Sequence, residues 1–405
     1  MDQGSGLVFT MDEPEEPSGV RKVRIKVVGV GGAGGNAVNR MIAAGLKDVE
    51  FVAVNTDYQD LEKSRAGTHV QIGQKLTRGL GTGGHPERGE QAAVEDMAVL
   101  AEHLQEADLV FIAAGMGGGT GTGAAPVVAR LACEAGALTV AVVTRPFGME
   151  GRQREANAKR GLDRLMEAAA TLIVIPNDNL LTRLPEEVTM EEAFHAADDV
   201  LRQGVQGITD LVTRPGLINL DFEDVRTVLS AGGRAVMGMG FGVGPKRALD
   251  AAEKAANNPL LEDASIQGAR AILINLAGGR SLKLQEVRAA CDFVREKAHP
   301  EANVLWGTSV DDALGEEVRI TVVAAAFESA EVKTLKRPAF APAAQAEPAA
   351  AAAAVAAGVF LPVPGVDGPL ASAPVPSSGL LRGAAPGNRD YEKEQTPTFM
   401  RKNRT

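Results

Sequence analysis

Cysteine is nearly absent. Cys133 and Cys291 stand far apart in apolar helical stretches, so no disulfide framework is expected and both read as packing residues of a chain kept reduced. Aromatic residues supply only 4% of the 405 positions, too few for the stacking platforms that hold single-stranded nucleic acid. An excess of positive charge is also missing. The 42 Lys and Arg are outnumbered by 52 Asp and Glu, giving a net charge of -10, which argues against direct binding of nucleic acid or of a membrane surface. The first residues, "MDQGSGLVFTMDEPEEPSG", lack the basic and apolar regions of a signal peptide. No uninterrupted apolar run reaches membrane-spanning length, so a cytoplasmic protein without membrane insertion is expected. The five histidines are scattered, and zinc spacings, a nucleophile elbow and the G-x-x-x-x-G-K-[ST] loop are all absent.

Glycine, by contrast, is concentrated. Six of the nine residues from Gly115 to Gly123 are glycine, in "GMGGGTGTG". Such a run is entropically unfavourable unless bare backbone is needed. It follows the apolar segment "DLVFIAA" and precedes "AAPVVARLACEAG"; strand, glycine loop and helix N-terminus together form an anion site. Thr120 and Thr122 add hydroxyls. A second loop, "GVGGAGGNAVNRM", places Gly29, Gly31 and Gly34 in a G-x-G-x-x-G spacing, with Asp57 after the next strand as a candidate ribose acid. Alone, this spacing reads as a Rossmann-type NAD-dependent oxidoreductase. A dinucleotide domain has no use for the richer second run, nor for a third, "GLGTGGHPERG", at 79–89. Three loops at one strand edge suit a mononucleotide triphosphate better.

The apolar runs "VRIKVVGV", "VEFVAVN", "DLVFIAAG", "LTVAVVT" and "TLIVIP" alternate with helical patterns, predicting an α/β fold with a Rossmann-like parallel sheet covered on both faces. From Met190 to Val212 apolar residues recur at steps of three and four, predicting a long helix buried along one side and stopped by Pro215 and Gly216. Four further strands, "RAVMGMGFG", "ARAILINLAGG", "NVLWGTSV" and "EVRITVVAAAF", predict a second, smaller α/β domain. The expected organisation is a disordered segment at 1–21, a nucleotide-binding domain at 22–189, a central helix at 190–214 and a C-terminal α/β domain at 215–330. A disordered Ala- and Pro-rich linker at 331–388 and a terminal peptide at 389–405 complete it.

With "NTD" at Asn55–Asp57, "RPF" at Arg145–Phe147, "PND" at Pro176–Asp178 and "RPGLINLDFED" at Arg214–Asp224, these loops resemble the FtsZ family, the bacterial cell-division GTPases of the tubulin superfamily. The resemblance runs without a break over about residues 23–328. It implies a filament-forming GTPase of the division ring, assembled at mid-cell. It implies that Gly31, Gly32, Ala33, Gly34, Gly35 and Asn36, with Gly117, Gly118, Gly119, Thr120 and Gly121, hold the phosphates of GTP or GDP. Mg²⁺ would be held mainly through those phosphates, with no metal site of the protein's own. Glu150 and Arg154 would meet the ribose and the guanine side, Phe194 would stack on the base, and Asn177 and Asp198 would bond its edge. A carboxylate suits guanine, since it can accept from both N1–H and the exocyclic amine. From the residues alone, Asp198 reads as a solvated helix face and Arg154 equally as a surface charge.

The carboxylates Asp221 and Asp224 stand three apart at a helix start, with Asn219 just before. Capping explains both acids and leaves Asn219 unused. The resemblance implies instead that this loop reaches the γ-phosphate bound to the next subunit and polarises the attacking water, so that hydrolysis requires head-to-tail assembly. The ending "TPTFMRKN" is similar to the family's peptide for membrane-tethering and regulatory division proteins, with Thr396 and Met400 replacing its commoner aliphatic residues.

Overall fold

β-Branched runs become strands buried on both sides. The computed structural model describes residues 22–327 apart from 183, 186, 215, 217, 219 and 259–265. The segment 1–21, the linker, the terminal peptide and Asn219 therefore lie outside the described residues. Ile25–Val30 (β1), Glu50–Asn55 (β2), Thr68–Gln71 (β3), Leu109–Gly115 (β4), Leu138–Arg145 (β5) and Thr171–Pro176 (β6) pair in parallel. Arg234–Gly242 (β7), Ala269–Gly278 (β8), Asn303–Val310 (β9) and Val318–Phe327 (β10) extend them into one ten-stranded sheet. Its order is β3-β2-β1-β4-β5-β6-β7-β10-β8-β9. The second lobe joins at a narrow parallel seam, Leu172 opposite Arg234 and Ile173 opposite Ala235. Beyond it, β10 runs antiparallel to β7 and β8.

The helices of the first lobe are Gly31–Ala43 (α1), Tyr58–Glu62 (α2), Gln74–Thr77 (α3), Pro86–Glu95 (α4), Met97–Leu104 (α5), Thr120–Glu134 (α6), Arg152–Ala168 (α7) and Asn177–Leu181 (α8). Met190–Thr213 (α9) links the lobes, followed by Phe222–Leu229 (α10), Arg247–Ala256 (α11) and Leu284–Lys297 (α12). Strand pleating sorts them. Ile25 and Val27 face a core with α1, α9 and α10, while Val28 and Val30 face one with α4 to α7. A third core lies under α11 and α12. Cys291 belongs to it, and burial pushes its thiol up to about 11; Cys133 is only half-buried, and neither forms a disulfide.

The central helix departs from the one-sided burial expected of it. Its start is set by a capping box in which Thr189 and Glu192 satisfy each other's backbone N–H. Its first turns are buried on one stripe. Its second half is clasped by both lobes, where Gly204 and Gly207 let Met237 and Thr321 approach. A Cβ at Gly207 would stand 2.8 Å from Thr321 Cγ2. No helix among the described residues is long and apolar enough to cross a membrane.

Candidate functional site

The strand order reverses between β1 and β4, and open α/β sheets receive ligands in the crevice beyond that point. Here the two glycine segments meet. Gly31, at φ +72°, starts α1 directly after β1, and a Cβ on it would stand 2.8 Å from Gly121 N in the first turn of α6. Two helix N-termini thus converge, each with first-turn N–H groups that no intrahelical carbonyl can take. The sequence had placed both glycine runs in loops; much of each is helix.

The glycines serve two different purposes. Several permit close packing: a Cβ at Gly34 would lie 2.3 Å from Ala113 O, and one at Gly123 would lie 2.0 Å from Pro86 O. At Gly35 and Gly118 a Cβ would meet nothing within 4 Å, and neither has a positive φ. Neither packing nor backbone geometry demands glycine there. Gly32, Ala33 and Asn36 are exposed along the same opening. The threonines turn inward, contrary to their reading as free hydroxyls. Thr122 Oγ1 accepts from Gly117 N at 2.8 Å, and Thr120 Oγ1 lies 2.6 Å from Thr56 Oγ1. The loop at 79–85 is stitched on by Asn157, a buried α7 residue that sequence reading missed; its Nδ2 donates to Gly84 O at 3.3 Å and to Gly117 O at 3.4 Å. Asp57, the candidate ribose acid, instead caps α2 by accepting from Gln59 N at 2.9 Å.

A second cluster flanks the crevice. Glu150 Oε1 accepts from Phe147 N at 2.8 Å while its other oxygen pairs with Arg154, whose backbone borders Gly117. Buried Phe147 meets Phe194 edge-on with centroids 5.3 Å apart, and Phe194 stays 38% exposed. Asn177 is buried, and its Oδ1 has no partner, an orphan acceptor in a place where such atoms are rare. Asp198, far from being a solvated face, is largely buried and pairs with Arg40 at 3.2 Å. Burial pushes its carboxyl up to about 6, against the opposing pull of Arg40. Arg40 was not legible in the sequence as a site residue; its one trace is the four-residue step from Asn36.

Asp221 and Asp224 lie elsewhere. Asp221 is the N-cap of α10, its Oδ1 accepting from Asp224 N at 2.7 Å, and both acids are exposed. A cavity of about 380 Å³ beside Asp221 is shared by Val23, which precedes β1, and by Leu211 and Arg214 at the end of α9. The far end of α10 hydrogen-bonds Thr171 at the start of β6. These carboxylates therefore sit at the N-terminal edge of the parallel strands, opposite the glycine turns. The 24 residues of α9, rising about 1.5 Å each, reach about 36 Å between the two ends. The second lobe holds the loop that follows α9. Ile218 N donates to Thr308 Oγ1 and Thr308 N donates to Ile218 O, both at 3.0 Å. Arg214 pairs with buried Asp210 at 2.9 Å and with Asp311 at 3.5 Å.

Residues 24–184 match the family model of the Tubulin/FtsZ family, GTPase domain, and residues 233–328 match that of the FtsZ family, C-terminal domain. An empty FtsZ dimer from M. jannaschii is 45% identical with a TM-score of 0.72, over 75% of this chain and 88% of that one. The chain belongs to the FtsZ family. A tryptophan-to-tyrosine mutant of FtsZ from M. jannaschii is 44% identical, TM-score 0.72, over 76% of this chain and 92% of that one. CetZ2 from Haloferax volcanii, as a GTPγS-bound protofilament, shares 24% identity at TM-score 0.65, over 76% of this chain and 94% of that one; at that identity the likeness concerns the fold alone. Membership brings GTP and GDP binding and a GTPase domain, and it replaces the NAD-dependent alternative. The fold is that of the tubulin superfamily, with its two α/β domains.

Proposed function

We propose that this chain hydrolyses GTP between neighbouring copies of itself, assembled head to tail into filaments that form the division ring at mid-cell. The observation that carries the reading is the placement of the glycine turns and the exposed carboxylates at opposite edges of one sheet. β1 alone puts about 20 Å between those edges, from six residues at roughly 3.3 Å each. One chain cannot bring its own carboxylates to its own nucleotide, whereas a second copy stacked end to end can. Such a contact is heterologous and propagates into a filament.

In this reading the phosphates lie over Gly31–Asn36 and Gly117–Gly121, where Gly35 and Gly118 keep the crevice clear of side chains. Glu150 and Arg154 meet the ribose, Phe194 offers its open face to the base, and the orphan Asn177 Oδ1 and the Asp198 carboxylate take the base edge. Magnesium would be held mainly through the phosphates, where it would offset their charge. From the neighbouring subunit, Asp221 and Asp224, with Asn219, orient and polarise the water that attacks the γ-phosphorus, releasing GDP and phosphate. Positioning and electrostatics dominate phosphoryl transfer, so a site divided between chains is sufficient. The peptide at 389–405 is proposed to dock membrane-tethering and regulatory partners.

The test is the concentration dependence of turnover. Phosphate release should be negligible below a threshold protein concentration and rise steeply above it, at the concentration where light scattering appears on adding GTP. Release proportional to protein concentration, without polymer, would overturn the reading.

A further inference from the structure

We propose that Arg40 is a specificity-determining residue of the base pocket, holding Asp198 as an oriented carboxylate able to accept from both guanine donors. The inference rests on the proposed reading of guanine by Asp198. Asn36 and Arg40 stand four apart on α1 and share one face of it. That face runs from the proposed phosphate end of the helix to α9. There Arg40 Nε lies 3.2 Å from Asp198 Oδ2, with the Asp198 side chain only 14% exposed and that of Arg40 31% exposed.

The pairing decides the charge. Burial favours the neutral acid at Asp198, and neighbouring Asp199 adds to that push; Arg40 opposes both. Asp199 has partners of its own, Arg202 at 2.6 Å and Gln203. Arg40 is thus the cation that pairs directly with Asp198 among the described residues. Without it, burial acts unopposed and Asp198 takes up a proton near neutral pH. A protonated carboxyl presents one donor and one good acceptor, so it cannot accept from N1–H and the exocyclic amine together. The loss falls on the amine, which hypoxanthine lacks.

The test measures the affinities of GDP and IDP for the full chain by titration calorimetry, in the native protein and in Arg40→Met, Arg40→Lys and Asp198→Asn. The native chain should prefer GDP over IDP by about tenfold, the worth of one charge-assisted hydrogen bond. Arg40→Met should reduce the preference to about twofold or less at pH 6.5. It should recover part of the preference at pH 8, as the carboxyl ionises. Arg40→Lys should keep most of it, and serves as the second variant should the methionine chain fold poorly. An equal loss of GDP and IDP affinity in Arg40→Met would make Arg40 merely structural and overturn the inference, as would an unchanged ratio. If Asp198→Asn retains the full preference, Asp198 does not read guanine, and the base assignment falls together with the role of Arg40.

Discussion

A chain carrying Asp221→Ala is expected to bind GTP as tightly as the native protein and to assemble on it, yet to release phosphate at least about 100-fold more slowly. That is the range lost when a group that positions or deprotonates the nucleophile is removed. Alanine also deletes the α10 cap, in which Asp221 accepts from Asp224 N, and caps of this kind contribute about 1 kcal/mol. Asp221→Asn separates the two effects. Asparagine caps as well as aspartate, so its thermal midpoint should match the native one while turnover stays low, since the amide carries no charge to polarise water. Native turnover in Asp221→Asn, measured as phosphate release from sedimented polymer, would reduce Asp221 to a helix cap.

The second large effect separates the two kinds of glycine. Gly118→Ser should leave the melting temperature within a degree or two, because a Cβ there meets nothing within 4 Å. It should weaken GTP binding by about 100-fold, because the new side chain occupies the space proposed for phosphate oxygens. Gly123→Ala should do the reverse. A helical Gly→Ala change ordinarily stabilises by about 1 kcal/mol. At Gly123 the added Cβ would stand 2.0 Å from Pro86 O, so α4 or α6 must move, at about 1–3 kcal/mol. Melting curves and GTP titrations on the two variants check both halves. A Gly118→Ser chain that is destabilised but binds GTP normally would place Gly118 among the packing glycines.

Much of the fold is legible because the central strands β1, β4, β5 and β6 are buried on both faces, so that they stand in the sequence as short, nearly continuous apolar runs. The strand missed is β3, whose four residues "THVQ" lie at the edge of the sheet and contribute only Val70 to the core. Helix starts were misplaced at Gly31 and Thr120, since glycine's low helix propensity is overridden there by packing against neighbouring backbone. The clasp around the second half of α9 was hidden for a related reason. Gly204 and Gly207 carry no apolar signal, although a Cβ on them would crowd Met237 of β7 and Thr321 of β10. At the candidate site the glycine-rich segments announce themselves locally. The pairing of Arg40 with Asp198, 158 positions apart in sequence, and the stitching of the loop at Ile218 to Thr308 exist only once the chain has folded.

The most direct measurement mixes two defective chains. Gly118→Ser has a damaged pocket and an intact loop; Asp221→Ala has an intact pocket and a damaged loop. Each alone should release little phosphate from GTP. In an equimolar mixture, random head-to-tail contacts pair a good pocket with a good loop in about a quarter of cases, an upper bound if the pocket variant enters filaments less readily. Phosphate release well above that of either chain alone, approaching a quarter of the native rate, is the result expected of a site completed between neighbours. Release no greater than the sum of the two variants, with both chains present in the sedimented polymer, would contradict it.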